Sequence, residues 1–254
     1  PNWNELIIYE MHLGTFNPSG ANVGNLNDAT QRLDYLADLG INAIELMPIS
    51  EFTADRSWGY NYAHPFSVES TYGTPDELRA FIKAAHQKGI AVMLDVIYNH
   101  WGPSDMDLWR FDGWGVGNYG GIYFYNNARA VTPWGDTRPN YGSSEVRQYI
   151  RDNVLFWFEE YHVDGLRWDA TSYMRVDAWG DNGDAWSLMQ WINDEVNQYF
   201  NWKINIAEDM WSSEWLTKPT PSGGAGFDSQ WDPNFVHPMR DAAITPSDQS
   251  RNMY

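Results

Sequence analysis

Six apolar stretches of strand length recur along the chain, and stretches with the apolar spacing of a helix lie between most of them. Such alternation is typical of parallel sheets, because a parallel pairing needs a crossover connection that is usually a helix. The pattern therefore predicts a parallel (β/α) barrel or an open parallel sheet. The predicted strands lie near 6–13, 43–48, 91–97, 163–168, 203–207 and 226–231, and the predicted helices near 27–39, 75–88, 144–161 and 185–200.

Capping residues place the ends of two of these helices. Asn27 or Asp28 is a candidate N-cap for the helix that stops at Gly40. Thr74 is followed by proline and two acidic residues, which is typical of a first helical turn, and Gly89 is the predicted stop.

Composition excludes several classes of protein. The net charge of −18 argues against a nucleic acid or an anionic membrane surface as partner. The chain contains no cysteine, so disulfides, thiol catalysis and cysteine metal sites are excluded. It has no apolar run of about 18 residues and no signal peptide, which favours a cytoplasmic location and no membrane span.

Carboxylates lie at or just after the carboxyl ends of three predicted strands. Asp95 lies in VMLDVIYNH, Asp169 in DGLRWDA and Glu208 in INIAED. The carboxyl ends of parallel strands form the active face of a barrel, so we expect these side chains to converge. A retaining glycosidase needs one ionised carboxylate and one protonated carboxyl about 5–5.5 Å apart, which this set can supply.

Arg167 precedes Asp169 by two residues, and the period of a strand sends both side chains to the same face. The guanidinium is expected to keep Asp169 ionised, while Glu208, sheltered by Trp211 and other aromatics, is expected to keep its proton. The alternative for an R-x-D spacing alone is a structural salt bridge at a strand end.

Taken in order, DVIYNH at 95–100, GLRWDA at 165–170 and AED at 207–209 resemble three of the four signature regions of the α-amylase superfamily of glycoside hydrolases and transglycosylases. YEMHLGTF at 9–16 and GFDSQW at 226–231 extend the resemblance over nearly the whole chain.

The resemblance implies a single (β/α)8 TIM-barrel catalytic domain over residues 1–254, incomplete at its C-terminus after about the sixth strand. A long loop at 101–143 follows the third strand. The fourth signature region, which carries a third catalytic carboxylate, is not found in the chain.

The same resemblance implies a role for each site residue. Asp169 becomes the nucleophile, Glu208 the general acid/base and Arg167 the charge partner of the nucleophile. Asp95 and His100 become structural and substrate-contacting members of the first sugar subsite, and Tyr60 becomes its stacking platform.

Aromatic residues are numerous, with 15 Trp and 15 Tyr. Most large aromatics fill cores. Five tryptophans in loops, with Gly, Asn and Asp as neighbours, are instead predicted to contact sugar: Trp58, Trp101, Trp109, Trp114 and Trp134.

We expect no cofactor and no zinc, because the histidines do not form a metal-ligand motif. Calcium is the alternative, since Asp105, Asp107 and Asp112 lie near Asn99 in the sequence. Many calcium-dependent α-amylases have a Lys-His pair after the nucleophile segment. Ser172 and Tyr173 occupy those places here, which argues against the usual calcium site.

Several segments, among them YEMHLGTF and SWGYN, resemble bacterial 1,4-α-glucan branching enzymes most and maltooligosyltrehalose trehalohydrolases next. The expected partner is an α-glucan polysaccharide or a malto-oligosaccharide. Branching and hydrolysis both stay open, as does the oligomeric state. An alternative of another class is a non-catalytic glucan-binding protein, since the third carboxylate is not found.

Overall fold

The computed structural model describes residues 2–102 and 108–250. The strands within these ranges are β1 (Ile8–Met11), β2 (Ala43–Leu46), β3 (Ser50–Phe52), β4 (Tyr62–Val68), β5 (Ala91–Val96), β6 (Gly165–Trp168), β7 (Val176–Asp177), β8 (Gly180–Asp181), β9 (Ile204–Glu208) and β10 (Ser229–Trp231). The helices are α1 (Leu13–Phe16), α2 (Leu26–Thr30), α3 (Leu33–Asp38), α4 (Pro75–Gln87), α5 (Ser144–Glu160), α6 (Ser172–Arg175), α7 (Gly183–Tyr199) and α8 (Pro233–Ile244).

One six-stranded sheet organises the molecule, with the order β1-β2-β5-β6-β9-β10 and every pair parallel. These are the six strands that the sequence predicts. Helices lie between successive strands of the sheet, except between β9 and β10. This is the βα repeat of a (β/α) barrel, so the predicted fold class is confirmed.

Two short hairpins were not predicted. β3 pairs antiparallel with β4, and β7 with β8. Both interrupt a connection on the carboxyl side of a sheet strand, after β2 and after β6 respectively. The hairpins therefore add structure to the end of the barrel where the predicted site lies.

The helix boundaries are confirmed for α4 and corrected for the first predicted helix. The Thr74 side chain accepts a hydrogen bond from the backbone of Glu77, and the Glu77 carboxylate bonds back to Thr74. The predicted helix at 27–39 is two helices, α2 and α3, and its cap is Asn25 rather than Asn27 or Asp28.

The core packs between the helices and the sheet. In α4 the buried residues recur at helical spacing, as predicted, because one face of the helix lies on the sheet. Inside the sheet, Gly165 leaves no room for a side chain, since an added Cβ would lie 2.7 Å from Ile204 Cγ1 and 3.2 Å from Met93 Cε.

The register of the sheet aligns the predicted site residues. Asp95 on β5 lies opposite Arg167 on β6, and Arg167 lies opposite Ile206 on β9. Glu208 is two residues beyond Ile206, as Asp169 is two beyond Arg167. Side chains two apart on a strand share a face, so all four point to the barrel interior at its carboxyl end.

Candidate active site

Arg167 is the centre of the site. Its Nη1 lies 2.9 Å from both carboxylate oxygens of Asp95 and 2.9 Å from Asp169 Oδ1, and its Nη2 lies 2.7 Å from Glu208 Oε1. The guanidinium is buried. One cation therefore joins three carboxyl groups from three neighbouring strands, and the predicted Arg167–Asp169 contact is present.

Asp169 receives a hydrogen-bond donor on each oxygen. Arg167 Nη1 donates to Oδ1, and Asn99 Nδ2 donates to Oδ2 at 2.8 Å and to the Asp169 backbone oxygen at 2.7 Å. Both carboxylate oxygens of Asp169 are thus held in place by donors from neighbouring segments. The role of Asn99 as a donor to Asp169 was not predicted.

Glu208 lies beside Asp169, with its side chain partly open to solvent. The backbone N–H of Ala170 donates to Oε2 at 3.0 Å, and Arg167 Nη2 lies 2.7 Å from Oε1. Burial raises the pKa of Glu208, Arg167 lowers it, and the charge of Asp169 raises it again, so that the result lies above the usual value. Glu208 thus keeps its proton better than an ordinary glutamate does.

Trp211, which the sequence predicts as a shelter for Glu208, packs its ring against Tyr173 and under the Arg175 guanidinium. Half of its surface stays exposed.

Asp95 and Tyr60 support the arginine. Tyr60 Oη donates to Asp95 Oδ2 at 2.7 Å, and the Asp95 side chain is fully buried between Tyr60 and Arg167. Burial, together with the charge of Asp95, raises the pKa of Tyr60, so the phenol keeps the proton that it donates. Membership of Asp95 in a first sugar subsite stays a prediction.

His100 is not open to a ligand in this structure. Its ring is buried, and the indole of Trp134 stacks on it with centroids 4.8 Å apart and an interplanar angle of 21°. Burial lowers the pKa of His100 to about 4, so the ring is neutral. The sequence predicts His100 as a sugar contact, whereas here Trp134 covers it.

The sugar-contact prediction for Trp101 is corrected. Only 1% of its surface is exposed, and the ring packs edge-on against Phe124 and Tyr149 with centroids 5.8 and 5.7 Å away. It belongs to the core, because the loop that carries it folds over α5. Trp58, by contrast, is exposed and lines a cavity of about 480 Å³ with His12 and Tyr72.

Glu45 is a site residue that sequence reasoning missed. It lies on β2, level with Met93 of β5, and its carboxyl is buried near Arg167. Its Oε2 has no hydrogen-bond partner among the described residues. Burial raises the pKa of Glu45 to about 7. The available signal was a single acid inside an apolar strand, Ala43–Leu46.

A cavity of about 600 Å³ opens beside this cluster. Glu45, Arg167 and Glu208 line one side, and Val236 and His237 of α8 line another.

The calcium alternative has no support from Asn99. Its amide nitrogen is used by Asp169, and its amide oxygen is hydrogen-bonded to His100. Asp112 bonds to the backbone of Trp114, while Asp105 and Asp107 lie outside the described residues. In the described ranges, no group of three or more His, Asp or Glu side chains is arranged to hold a metal.

Comparison with known proteins gives matches over most of the chain. The family of alpha-amylase catalytic domains matches residues 14–110. A malto-oligosyltrehalose trehalohydrolase of Saccharolobus solfataricus is 38% identical over 92% of this chain and 38% of its own length. A 1,4-alpha-glucan branching enzyme of Pseudoalteromonas atlantica is 35% identical over 91% of this chain and 34% of its own length. The chain thus spans little more than a third of these relatives.

Solved structures show the same fold. A crystal structure from Salmonella typhimurium, assigned as an alpha amylase, matches 97% of this chain and 40% of its own with a TM-score of 0.78 and 30% identity. An alpha-amylase of Geobacillus thermoleovorans matches 95% of this chain and 54% of its own with a TM-score of 0.74, and at 24% identity it shows the fold alone.

In the described ranges, no helix has the length and apolar character to cross a bilayer.

Proposed function

The chain belongs to the α-amylase superfamily, and we propose that it cleaves α-1,4-glucosidic bonds with retention of configuration and transfers the glucan to a sugar 6-hydroxyl. This is 1,4-α-glucan branching, with an α-glucan or malto-oligosaccharide as substrate. Residues 1–254 would supply part of one catalytic barrel domain, and its long loop after β5 would help to bind the substrate.

The observation that carries the proposal is the pairing of Asp169 and Glu208 around Arg167. Asp169 has a donor on each oxygen, whereas Glu208 has a raised pKa and lies 2.7 Å from Nη2 of the same guanidinium. Two carboxyls on one guanidinium fit the closely spaced pair of a retaining glycosidase, about 5–5.5 Å apart, better than the wider pair of an inverting one, about 6.5–9.5 Å apart. The pair supports a nucleophile and a proton donor in one retaining site.

In the first step Asp169 attacks the anomeric carbon and the glycosidic C–O bond breaks, while Glu208 gives its proton to the leaving oxygen. In the second step Glu208 takes a proton from the acceptor hydroxyl. The acceptor oxygen bonds to the anomeric carbon, and the ester to Asp169 breaks. Arg167 stabilises the carboxylate charge on Asp169 before attack and after release.

Hydrolysis with release of trehalose is the second candidate. The relative from Saccharolobus solfataricus, 38% identical over 238 residues, carries that name, and the GFDSQW stretch at 226–231 resembles such enzymes. The acid pair is compatible with either outcome, because water and a sugar hydroxyl deliver the same proton to Glu208. A non-catalytic binding protein would have no use for a carboxyl with a raised pKa beside Asp169.

Incubation of the full-length protein with amylose tests the proposal. We expect new α-1,6 linkages in the proton NMR spectrum in excess of new reducing ends. A parallel incubation with maltooligosyltrehalose detects trehalose release. Trehalose without new linkages would replace branching with the second candidate, and no product from either substrate would overturn both.

A further inference from the structure

We propose that Glu45 is a positioning residue for the reaction: its buried carboxyl acts through Arg167 and so helps Glu208 to keep the proton that the first step needs. Glu45 lies in the barrel interior, below the catalytic pair. The inference rests on the proposed function and adds one residue of β2 to the cluster that performs it.

Glu45 lies one layer of side chains below the arginine. In the register of the sheet, Glu45 is opposite Met93 of β5, and Met93 is opposite Gly165 of β6. Asp95 and Arg167 come two residues later on those two strands, so they share a face with Met93 and Gly165. The carboxyl of Glu45 thus belongs to the same interior as the guanidinium, one step nearer the amino ends of the strands.

Glu45 and Arg167 each have a buried polar atom without a hydrogen-bond partner in the described ranges. The atoms are Glu45 Oε2, an acceptor, and Arg167 Nε, a donor. Glu45 is 2% exposed, and both residues line the cavity of about 600 Å³ that Glu208 also lines. A buried polar atom without a partner destabilises a fold, so these atoms call for an explanation other than stability, and a catalytic role is one.

The charge on Glu45 is set by its surroundings. Burial raises the pKa of Glu45 most, Arg167 lowers it, and Glu10 and Glu208 raise it again, to about 7. The carboxyl therefore changes its charge near neutral pH. The titratable groups that interact with Glu45 or share its cavity are Glu10 of β1, Asp95 of β5, Arg167 of β6, Glu208 of β9, Asp209 after β9 and His237 of α8.

Glu45 and Glu208 compete for one guanidinium. When one of two neighbouring carboxyls is ionised, its negative charge makes ionisation of the other less favourable. Above about pH 7 the charged Glu45 therefore favours the protonated form of Glu208. That proton goes to the leaving oxygen in the first step, as the glycosidic C–O bond breaks and Asp169 bonds to the anomeric carbon. Glu45 thus extends the activity of the proton donor to higher pH.

An infrared titration of the full-length protein tests the link between the two carboxyls without any substrate. The spectrum of Glu45→Gln is subtracted from that of the wild type, which leaves the carbonyl band of the protonated Glu45 carboxyl, and the loss of this band is followed as pH rises. We expect a midpoint near pH 7. With Glu208→Gln in both proteins the midpoint should fall by about one unit, because a like charge is removed. Equal midpoints would overturn the proposal.

The pH dependence of turnover tests the positioning role itself. On amylose, the basic limb of the profile should lie about one pH unit lower in Glu45→Gln than in the wild type, which is about a tenfold loss of turnover at pH 9. At pH 6, where Glu45 of the wild type is protonated, turnover should agree within about twofold. The KM should not change, because Glu45 acts on Arg167 and not on the substrate. Glu45→Asp, which keeps the charge, should restore the limb.

Glu69→Gln is the matched control. Glu69 is 1% exposed and follows β4, and its carboxylate accepts hydrogen bonds from the backbone of Phe52 and Thr71. The basic limb of this variant should stay at the wild-type pH. An unchanged limb in Glu45→Gln, or an equal shift in Glu69→Gln, would overturn the positioning role. A wild type without turnover on amylose would overturn the proposed function instead, and the infrared titration would still decide whether Glu45 and Glu208 interact.

Discussion

β6 has an aspartate at each end, and the two lie in opposite charge environments. At the amino end, the Asp164 carboxylate accepts hydrogen bonds from His86 Nε2 at 2.7 Å and from the Val92 backbone at 2.8 Å, with Lys203 Nζ 3.9 Å away. At the carboxyl end, Asp169 shares one buried arginine with two other carboxyl groups.

The difference shows in the proton affinities. Burial raises the pKa of Asp164, but the hydrogen bonds from His86 and Val92 outweigh it and leave the pKa below its usual value. Glu208, beside Asp169, has a raised pKa. A carboxylate whose partners are hydrogen-bond donors and cations stabilises the fold. Several carboxyls around one cation instead lower the folding free energy gained, and the pKa shifts that result are typical of catalytic sites. The amino end of β6 thus contributes to the stability of the fold, whereas its carboxyl end carries the candidate nucleophile.

Exchange of each aspartate for asparagine tests this separation most strongly. Asp169→Asn removes the attacking charge and should lower turnover on amylose by about 10⁴-fold or more, by comparison with other deleted nucleophiles. Asp164→Asn should keep turnover within about twofold of wild type, because it lies at the other end of the strand. If Asp169→Asn retained a tenth of the rate, the nucleophile would lie elsewhere.

Glu208→Gln should have the next largest effect, a loss of about 10²–10⁴-fold on natural glucans. Azide, which needs no general base, should restore turnover with an activated maltosyl fluoride. In the wild type, activity should fall as pH rises through the raised pKa of Glu208, because the proton donor is then lost. The pH–rate profile checks this, and equal loss of activity on natural and activated substrates would contradict the acid/base role.

Glu45→Gln should increase the stability of the fold in a pH-dependent manner. The pKa of Glu45 is about 7 in the folded protein, above the ordinary value of 4.5. The folded state therefore holds the proton more tightly, so stability falls as pH rises from the unfolded to the folded pKa. Above pH 7 the substitution should add up to about 3 kcal/mol to the free energy of unfolding, and below pH 4 almost nothing. Urea denaturation at pH 4 and pH 8 measures both.

Asp164→Asn should have the smallest effect, a loss of about 1–2 kcal/mol in the free energy of unfolding near pH 7. Because the pKa of Asp164 is lowered on folding, its contribution is present above the unfolded pKa and is lost as pH falls through the folded pKa. The difference between variant and wild type should therefore shrink in acid. A constant difference from pH 2 to pH 8 would show that the ion pair contributes nothing.

The sequence predicted the parts of the fold that depend on local patterns. All six sheet strands and the Thr74 cap follow from apolar runs and capping residues within a few positions. α8 was missed because Pro238 interrupts its helical pattern. The β3–β4 hairpin was missed because a register shift obscures the alternation of β3.

Prediction of the site succeeded where residues share a strand and failed where packing decides. The Arg167–Asp169 contact follows from a spacing of two. Trp101 is buried because it packs against Phe124 and Tyr149, which are far from it in sequence. The polar residues next to it in sequence wrongly indicated an exposed side chain. Glu45 was missed because a strand pattern does not say what lies across the barrel from each residue.

Trapping of the covalent intermediate tests the role of Asp169 most directly. A fluorinated glucosyl fluoride, which slows the second step, is added to the full-length protein, and the tryptic peptides are weighed. Cleavage after Arg167 and Arg175 leaves the peptide 168–175, in which Asp169 is the sole carboxylic side chain. We expect the glucosyl mass on that peptide and none in Asp169→Asn. A label on the peptide that contains Glu208, or turnover without any label, would contradict the assignment.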